Sequence, residues 1–280
     1  MDNNSVQKTV LVALVLCIVC SVFISSAAVL LRPRQEFNAA LDVKKNLLLA
    51  SGLLDNPRAT AEEIEEAYKQ VEEYIISFET GEVAEHINPE ELNERRMANS
   101  PDTRVRIPSE LDKGSIRSRA PYGRVYLTRD ENGDVDLIIL PVHGQGLWST
   151  MYAFLALDAS DTKTVRGIGF YEHGETPGLG GEVDNPRWQA QWEGKKVFDD
   201  EFRPVFEVLK GQVDSTSANA VHQVDGLAGA TITAYGAGGM VQYWTSHHAY
   251  GKYLENFRHT KNMDTSDYYY EDHSSEEVSL

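Results

Sequence analysis

Val224-Asp225-Gly226-Leu227-Ala228-Gly229-Ala230-Thr231-Ile232-Thr233 reads as the end of a strand, a turn of small residues and the start of a helix. Gly226 and Gly229 permit close backbone approach and positive φ. The first amides of a helix have no partner inside it and point outward, so such a start attracts anions, phosphate above all. Thr231 places a hydroxyl at that spot. Taken alone, the hydroxyl reads first as an ordinary helix cap, with acceptance of a phosphoryl group as the alternative.

The sequence on either side of this turn has the pattern of an α+β domain beginning near Gly123. Val125-Tyr126-Leu127 and residues 135–140 flank Asn132-Gly133, a hairpin signal. Residues 151–157 and 165–171 are further strand candidates, as are 206–209 and 221–224. Asn185-Pro186 starts a short helix that Gly194 ends, and a last helix runs from near Thr233 to about Phe257. The tail from residue 261 is polar and acidic, lacks a core pattern and reads as disordered.

Upstream lies a connector, residues 35–122, that reads as helical. Thr60 and Glu63 have capping-box spacing, and Ile64, Ala67, Val71, Ile75 and Phe78 recur at helical intervals. Asn88-Pro89 marks a second helix start. Residues 10–31 are apolar apart from serines, long enough for one helix to cross a bilayer, which takes about 20 residues. A cleaved signal would have a shorter apolar region. Arg32, Arg34, Lys44 and Lys45 follow the apolar run and Lys8 precedes it, a balance that by itself leaves the main domain in the cytoplasm. The two cysteines, Cys17 and Cys20, lie inside the run as apolar filler, so the rest of the chain forms no disulfide and ligates no iron–sulfur cluster through thiolates. A net charge of −17 argues against nucleic acid and against docking on anionic lipid.

His173-Gly174-Glu175-Thr176-Pro177-Gly178-Leu179-Gly180-Gly181 has too many turn formers for a regular element and does not fit the dinucleotide fingerprint. It is either a plain surface loop or one that lies against a flat ring and offers it amides. His247 and His248 have no partners at metal-ligand spacing, so no metal is expected.

These motifs together resemble the FMN-binding domain family. In that family an aspartate and a glycine precede Ser/Thr-Gly-Ala-Thr, as in residues 225–231, and a dedicated flavin transferase esterifies the last threonine to FMN. Ala228 departs from the pattern by lacking the hydroxyl, but the acceptor threonine is intact. Residues 175–180 resemble the family's second loop. Residues 144–152, with Trp148, are similar to a segment of the C-subunit family of Na⁺-pumping NADH:quinone oxidoreductases, which also share the single anchor and the length.

The resemblance implies an N-terminal segment with one transmembrane helix (1–34), the connector (35–122), an FMN-binding domain with an antiparallel sheet and flanking helices (123–260) and the acidic tail (261–280). It implies Thr231 as the phosphoester, with Gly229, Ala230 and Thr233 around the phosphate. Thr176 and Leu179 touch the isoalloxazine ring, Trp148 lies near it, Asp225 is recognised by the transferase and Glu175 orients its loop. The implied partners are an iron–sulfur subunit, a second flavin subunit and the membrane. The implied place is the bacterial inner membrane with the flavin domain on the periplasmic side, against the charge balance. A related ferredoxin:NAD⁺ complex and a non-redox anchored binding module are the alternatives.

Overall fold

The computed structural model describes residues 6–89 and 91–260, which leaves the acidic tail outside the described residues. Helix α1 spans Val6–Ala50, with Pro33 inside it. Its apolar part has a mean hydropathy of 2.8 and no buried residues, and is long and apolar enough to cross a membrane. The chain divides after Val43 into two compact units.

In the second unit, the end of α1 is followed by α2 (Ala61–Tyr68), whose N-terminus carries the expected capping box of Thr60 and Glu63. Next come β1 (Val71–Ser77), α3 (Glu94–Asn99), the two-residue strands β2 (Val105–Arg106) and β3 (Ser118–Arg119), and β4 (Tyr122–Arg129). β5 (Val135–Gln145), β6 (Thr150–Asp158) and β7 (Val165–Glu172) complete a five-stranded sheet of order β1-β4-β5-β6-β7, antiparallel throughout. Short elements follow: α4 (Pro186–Gln189), β8 (Glu207–Val208) and β9 (Gln223–Val224). α5 (Thr231–Trp244) and α6 (Gly251–His259) close the domain.

The antiparallel sheet with flanking helices is the α+β domain expected from sequence. Four elements differ from expectation. Residues 71–77 form an edge strand rather than the continuation of a helix. Arg129 and Arg124 on β4 draw Glu72 and Glu73 across the ladder at 2.7 and 2.6 Å, so the acids pair with cross-strand cations. Among the described residues no helix opens at Asn88-Pro89; Arg124 takes the carbonyls of Pro89 and Leu92 at 2.7 and 2.8 Å, and the helix starts later, capped by Asn93. β8 and β9 are two residues long and pair in parallel, with residues 218–222 in a 3₁₀ turn. The last helix is two helices, because Thr245 and Ser246 turn their hydroxyls back onto the carbonyls of Val241 and Tyr243 and end α5.

One sheet face buries Leu140, Val142, Met151 and Leu155 against Ala234, Ala237 and Met240 of α5. The approach is close: a Cβ on Gly236 would lie 2.1 Å from the Gln145 carbonyl oxygen, and one on Gly239 would lie 2.0 Å from that of Lys113. Leu47, Leu48 and Ala50 are buried at the end of α1, with the Ala50 carbonyl oxygen where a Cβ on Gly167 would stand, 2.3 Å away. β4 and β5 pair only from Tyr126 and Ile139 to the hairpin. Beyond that they part, and Tyr250 fills the split, its hydroxyl 2.9 Å from the Arg124 carbonyl and 3.2 Å from that of Pro141. Trp244 donates to the His143 carbonyl at 2.7 Å.

Candidate functional site: the start of α5

β9 delivers the chain to a crowded turn. A Cβ on Gly226 would stand 2.1 Å from the Leu209 carbonyl oxygen, so only glycine fits. Asp225 is tied on several sides: Oδ1 accepts from the Val213 amide at 2.7 Å, its carbonyl accepts from Trp188 Nε1 at 2.8 Å, and its amide donates to Gln191 at 3.2 Å. Gly229 has φ +72°, and the Leu179 side chain rests over it, 3.0 Å from where a Cβ would be.

α5 then begins at Thr231, with Ala230 in the capping position and no side-chain cap. Thr231 is therefore the first helical residue and its hydroxyl does not cap the helix, which removes the first of the two readings open at sequence level. The first intrahelical bond at this end runs from the Ala234 amide to the Ala230 carbonyl at 3.0 Å, so the amides ahead of it are left to an outside acceptor.

The second loop is bound to this helix start by one carboxylate. Glu175, only 5 % exposed, accepts from the consecutive amides of Leu147, Trp148 and Ser149 at 3.1, 2.8 and 3.0 Å, and from the Thr233 hydroxyl at 2.6 Å. Burial alone would raise its pKa, but the hydroxyl and the amides outweigh it and hold the carboxyl below its usual value. The Thr233 hydroxyl, expected near the phosphate, is thus committed to Glu175, leaving its amide on the helix start. Thr176 is exposed, and its carbonyl closes the loop by accepting from Leu179 and Gly181 at 3.1 and 2.9 Å. His173 is held between the Glu175 amide at 3.2 Å and Asp184 at 2.7 Å, a satisfied loop histidine.

The residues singled out in sequence are thereby assembled on one part of the domain: Gly229, Ala230, Thr231 and Thr233 on the helix start, Leu179 over Gly229, and the Trp148 turn and Thr176 loop joined through Glu175. Trp148 is 70 % exposed, and Leu147, Leu179, Ile232 and Tyr235 are also exposed, an unusual run of large apolar side chains on a well-packed domain. Leu147, Ile232 and Tyr235 were not singled out in sequence. Tyr235 stands four residues after Thr231, hence on the same helix face, and that spacing was the available signal. A cleft of about 570 Å³ opens beside Asp225, lined also by Gln191, Lys195, Val213, Val221 and Gln223; Thr231 is not among its walls.

The FMN-binding domain family matches residues 146–246, which contain this whole assembly. The C-subunit of the Na⁺-translocating NADH-quinone reductase of Yersinia pestis is 40 % identical over 258 residues, covering 92 % of this chain and 95 % of its own length. The chain belongs to the C-subunit family of Na⁺-translocating NADH-quinone reductases. The family member from Pseudomonas aeruginosa is 41 % identical over 258 residues, covering 92 % and 98 % of the two chains. The crystal structure of Shewanella oneidensis NqrC, in the same family, superposes with a TM-score of 0.69 at 30 % identity, covering 78 % of this chain and 96 % of that one. That of the family member from Parabacteroides distasonis gives 0.59 at 25 % identity, with coverage of 80 % and 96 %. FMN is accordingly the cofactor of this domain, and α1 is its single-pass membrane anchor.

Proposed function

We propose that this chain is the anchored electron carrier of a Na⁺-pumping NADH:quinone oxidoreductase, relaying electrons from an iron–sulfur subunit to a second flavin subunit, and that it holds FMN as a phosphoester on Thr231 Oγ1. The observation that carries the reading is the start of α5: a half-buried threonine at the first helical position, no side-chain cap, and outward amides. The surroundings fit the group. The amides and the helix dipole suit a phosphate, and the exposed faces of Trp148, Leu179 and Tyr235 suit a flat ring. FMN supplies one- and two-electron transfer when bound.

Each residue then has a part. Thr231 attacks a flavin nucleotide whose phosphate is activated as a pyrophosphate. Its Oγ1–P bond forms as the bond to the leaving nucleotide breaks; its proton leaves to a base of the transferase, and no electrons change hands. Gly229, in the left-handed region, and Ala230, without a capping group, keep the approach open, while the amides of the first turn face the phosphate. Thr176, Leu179 and Trp148 border the ring. Asp225 is the transferase's recognition point: with one oxygen fixed by Val213, the carboxylate is held at the wall of the cleft. The flavin domain lies on the periplasmic side of the inner membrane, where an exported transferase reaches it.

The test is the mass of the full-length chain matured with a flavin transferase. Wild type is expected to carry the added mass of one FMN and to fluoresce after denaturation. Thr231→Val is expected to fold, with an unchanged melting temperature, and to carry none. A flavin-bearing Thr231→Val protein overturns the assignment. A reporter fused to the C-terminus checks the side of the membrane.

A further inference from the structure

The flavin site is assembled from three segments distant in sequence: the turn at 146–149, the loop at 173–181 and the first turn of α5. Consecutive amides that converge on one point form an anion-binding concavity. Here the concavity of Leu147, Trp148 and Ser149 is filled by the chain's own carboxylate, that of Glu175. The same carboxylate accepts from Thr233 in the first turn of α5.

The fit is built into the backbone. A Cβ on Gly146 would come within 2.6 Å of Glu175 Oε1, and one on Gly180 within 2.6 Å of Oε2 and 2.8 Å of Thr233 Oγ1. The glycines on both sides make room for this one group. Filling the 147–149 concavity from inside also leaves the start of α5 as the open anion-attracting end of the site.

We propose that Glu175 is the positioning residue of the flavin site, fixing the first turn of α5, and with it the Thr231 hydroxyl, against the Trp148 turn. This rests on Thr231 being the attachment point. Gln in its place would turn an amide group toward backbone amides, and Asp would fall short of one partner. Thr233 is the second handle on the same contact: valine keeps its volume and removes the donor, whereas serine keeps the donor.

The experiment uses the full-length chain in detergent with a flavin transferase and its flavin nucleotide, comparing wild type, Glu175→Gln, Thr233→Val and Thr233→Ser. The readouts are the time course of covalent flavin on denaturing gels, visible circular dichroism of the attached flavin, and thermal melting. Thr233→Val is expected to attach flavin roughly tenfold or more slowly, since about 1 Å of misplacement is worth up to about a hundredfold. Its flavin dichroism should change, and Thr233→Ser should restore both. Glu175→Gln should be slower still; if it does not fold, the Thr233 pair decides. A Thr233→Val protein that melts lower but attaches flavin at the wild-type rate with the wild-type spectrum makes the contact merely structural and overturns the proposal. Wild type without covalent flavin would instead sink the Thr231 reading beneath it.

Discussion

The two ends of α5 are treated in opposite ways. At the C-terminal end, polar groups are spent on the fold: Trp244 donates to the His143 carbonyl, Thr245 turns back onto Val241, and the Tyr250 hydroxyl sits between the carbonyls of Arg124 and Pro141. Phe78 meets Trp244 and Tyr250 with ring centroids 5.8 and 5.0 Å apart, and all three rings are buried. At the N-terminal end the helix has no side-chain cap, and Ile232 and Tyr235 stand 58 % and 53 % exposed. Burial is invested where the strands β4 and β5 part, and withheld at the helix start where we propose that FMN attaches. One end holds the domain together, and the other end is left chemically open.

This division has measurable consequences. Trp244→Ala should cost about 3–5 kcal/mol by urea unfolding of the full chain, the range for emptying a large aromatic site. Trp148→Ala should cost far less; equal losses would remove the distinction between the ends. Gly236→Ala comes next, because its new methyl group must push α5 off the Gln145 carbonyl; a loss of about 1–3 kcal/mol is expected.

The two ends should also respond to acid in different windows. Burial and the nearby Arg95 guanidinium push His143, packed against Trp244, down to about 4. Its folded pKa lies below the ordinary value near 6.5, so its contribution is full above 6.5 and declines as pH falls toward 4. His143→Gln should flatten that slope in the urea midpoint. Glu175, lowered from about 4.5, contributes fully above that pH and is lost only as pH falls through its lower folded value. The gap in midpoint between wild type and Glu175→Gln should therefore hold from pH 7 to about 5 and close only in stronger acid. Smallest of all, Tyr235→Ser should shift stability by no more than about 0.5 kcal/mol, as exposed positions do.

Strands β4 to β7 were legible in the sequence because their signals are local: Asn132-Gly133 turns the hairpin, and the apolar runs have strand length. Residues 71–77 misled because Val71, Ile75 and Phe78 satisfy a helical period equally well. What decides the strand is a partner some fifty residues away, Arg124 and Arg129 on β4, which the local pattern does not contain. The site shows the same divide. Thr231 was readable as a hydroxyl at a small-residue bend, but Ala230 as the uncapped position, and the commitment of the Thr233 hydroxyl to Glu175, depend on distant segments meeting.

Gly236, Gly238 and Gly239 sit in the interior of α5, each weakening an isolated helix by about 1 kcal/mol relative to alanine. A segment of this length is marginal alone even with good helix formers. Gly236 lets it approach β5, Gly238 β8 and Gly239 the backbone at Lys113, and seating is what makes it helical. An unfinished chain therefore has no first turn at which to offer the Thr231 hydroxyl. Loading with flavin, on the proposed reading, certifies that the sheet has closed, and colour becomes a record of successful folding.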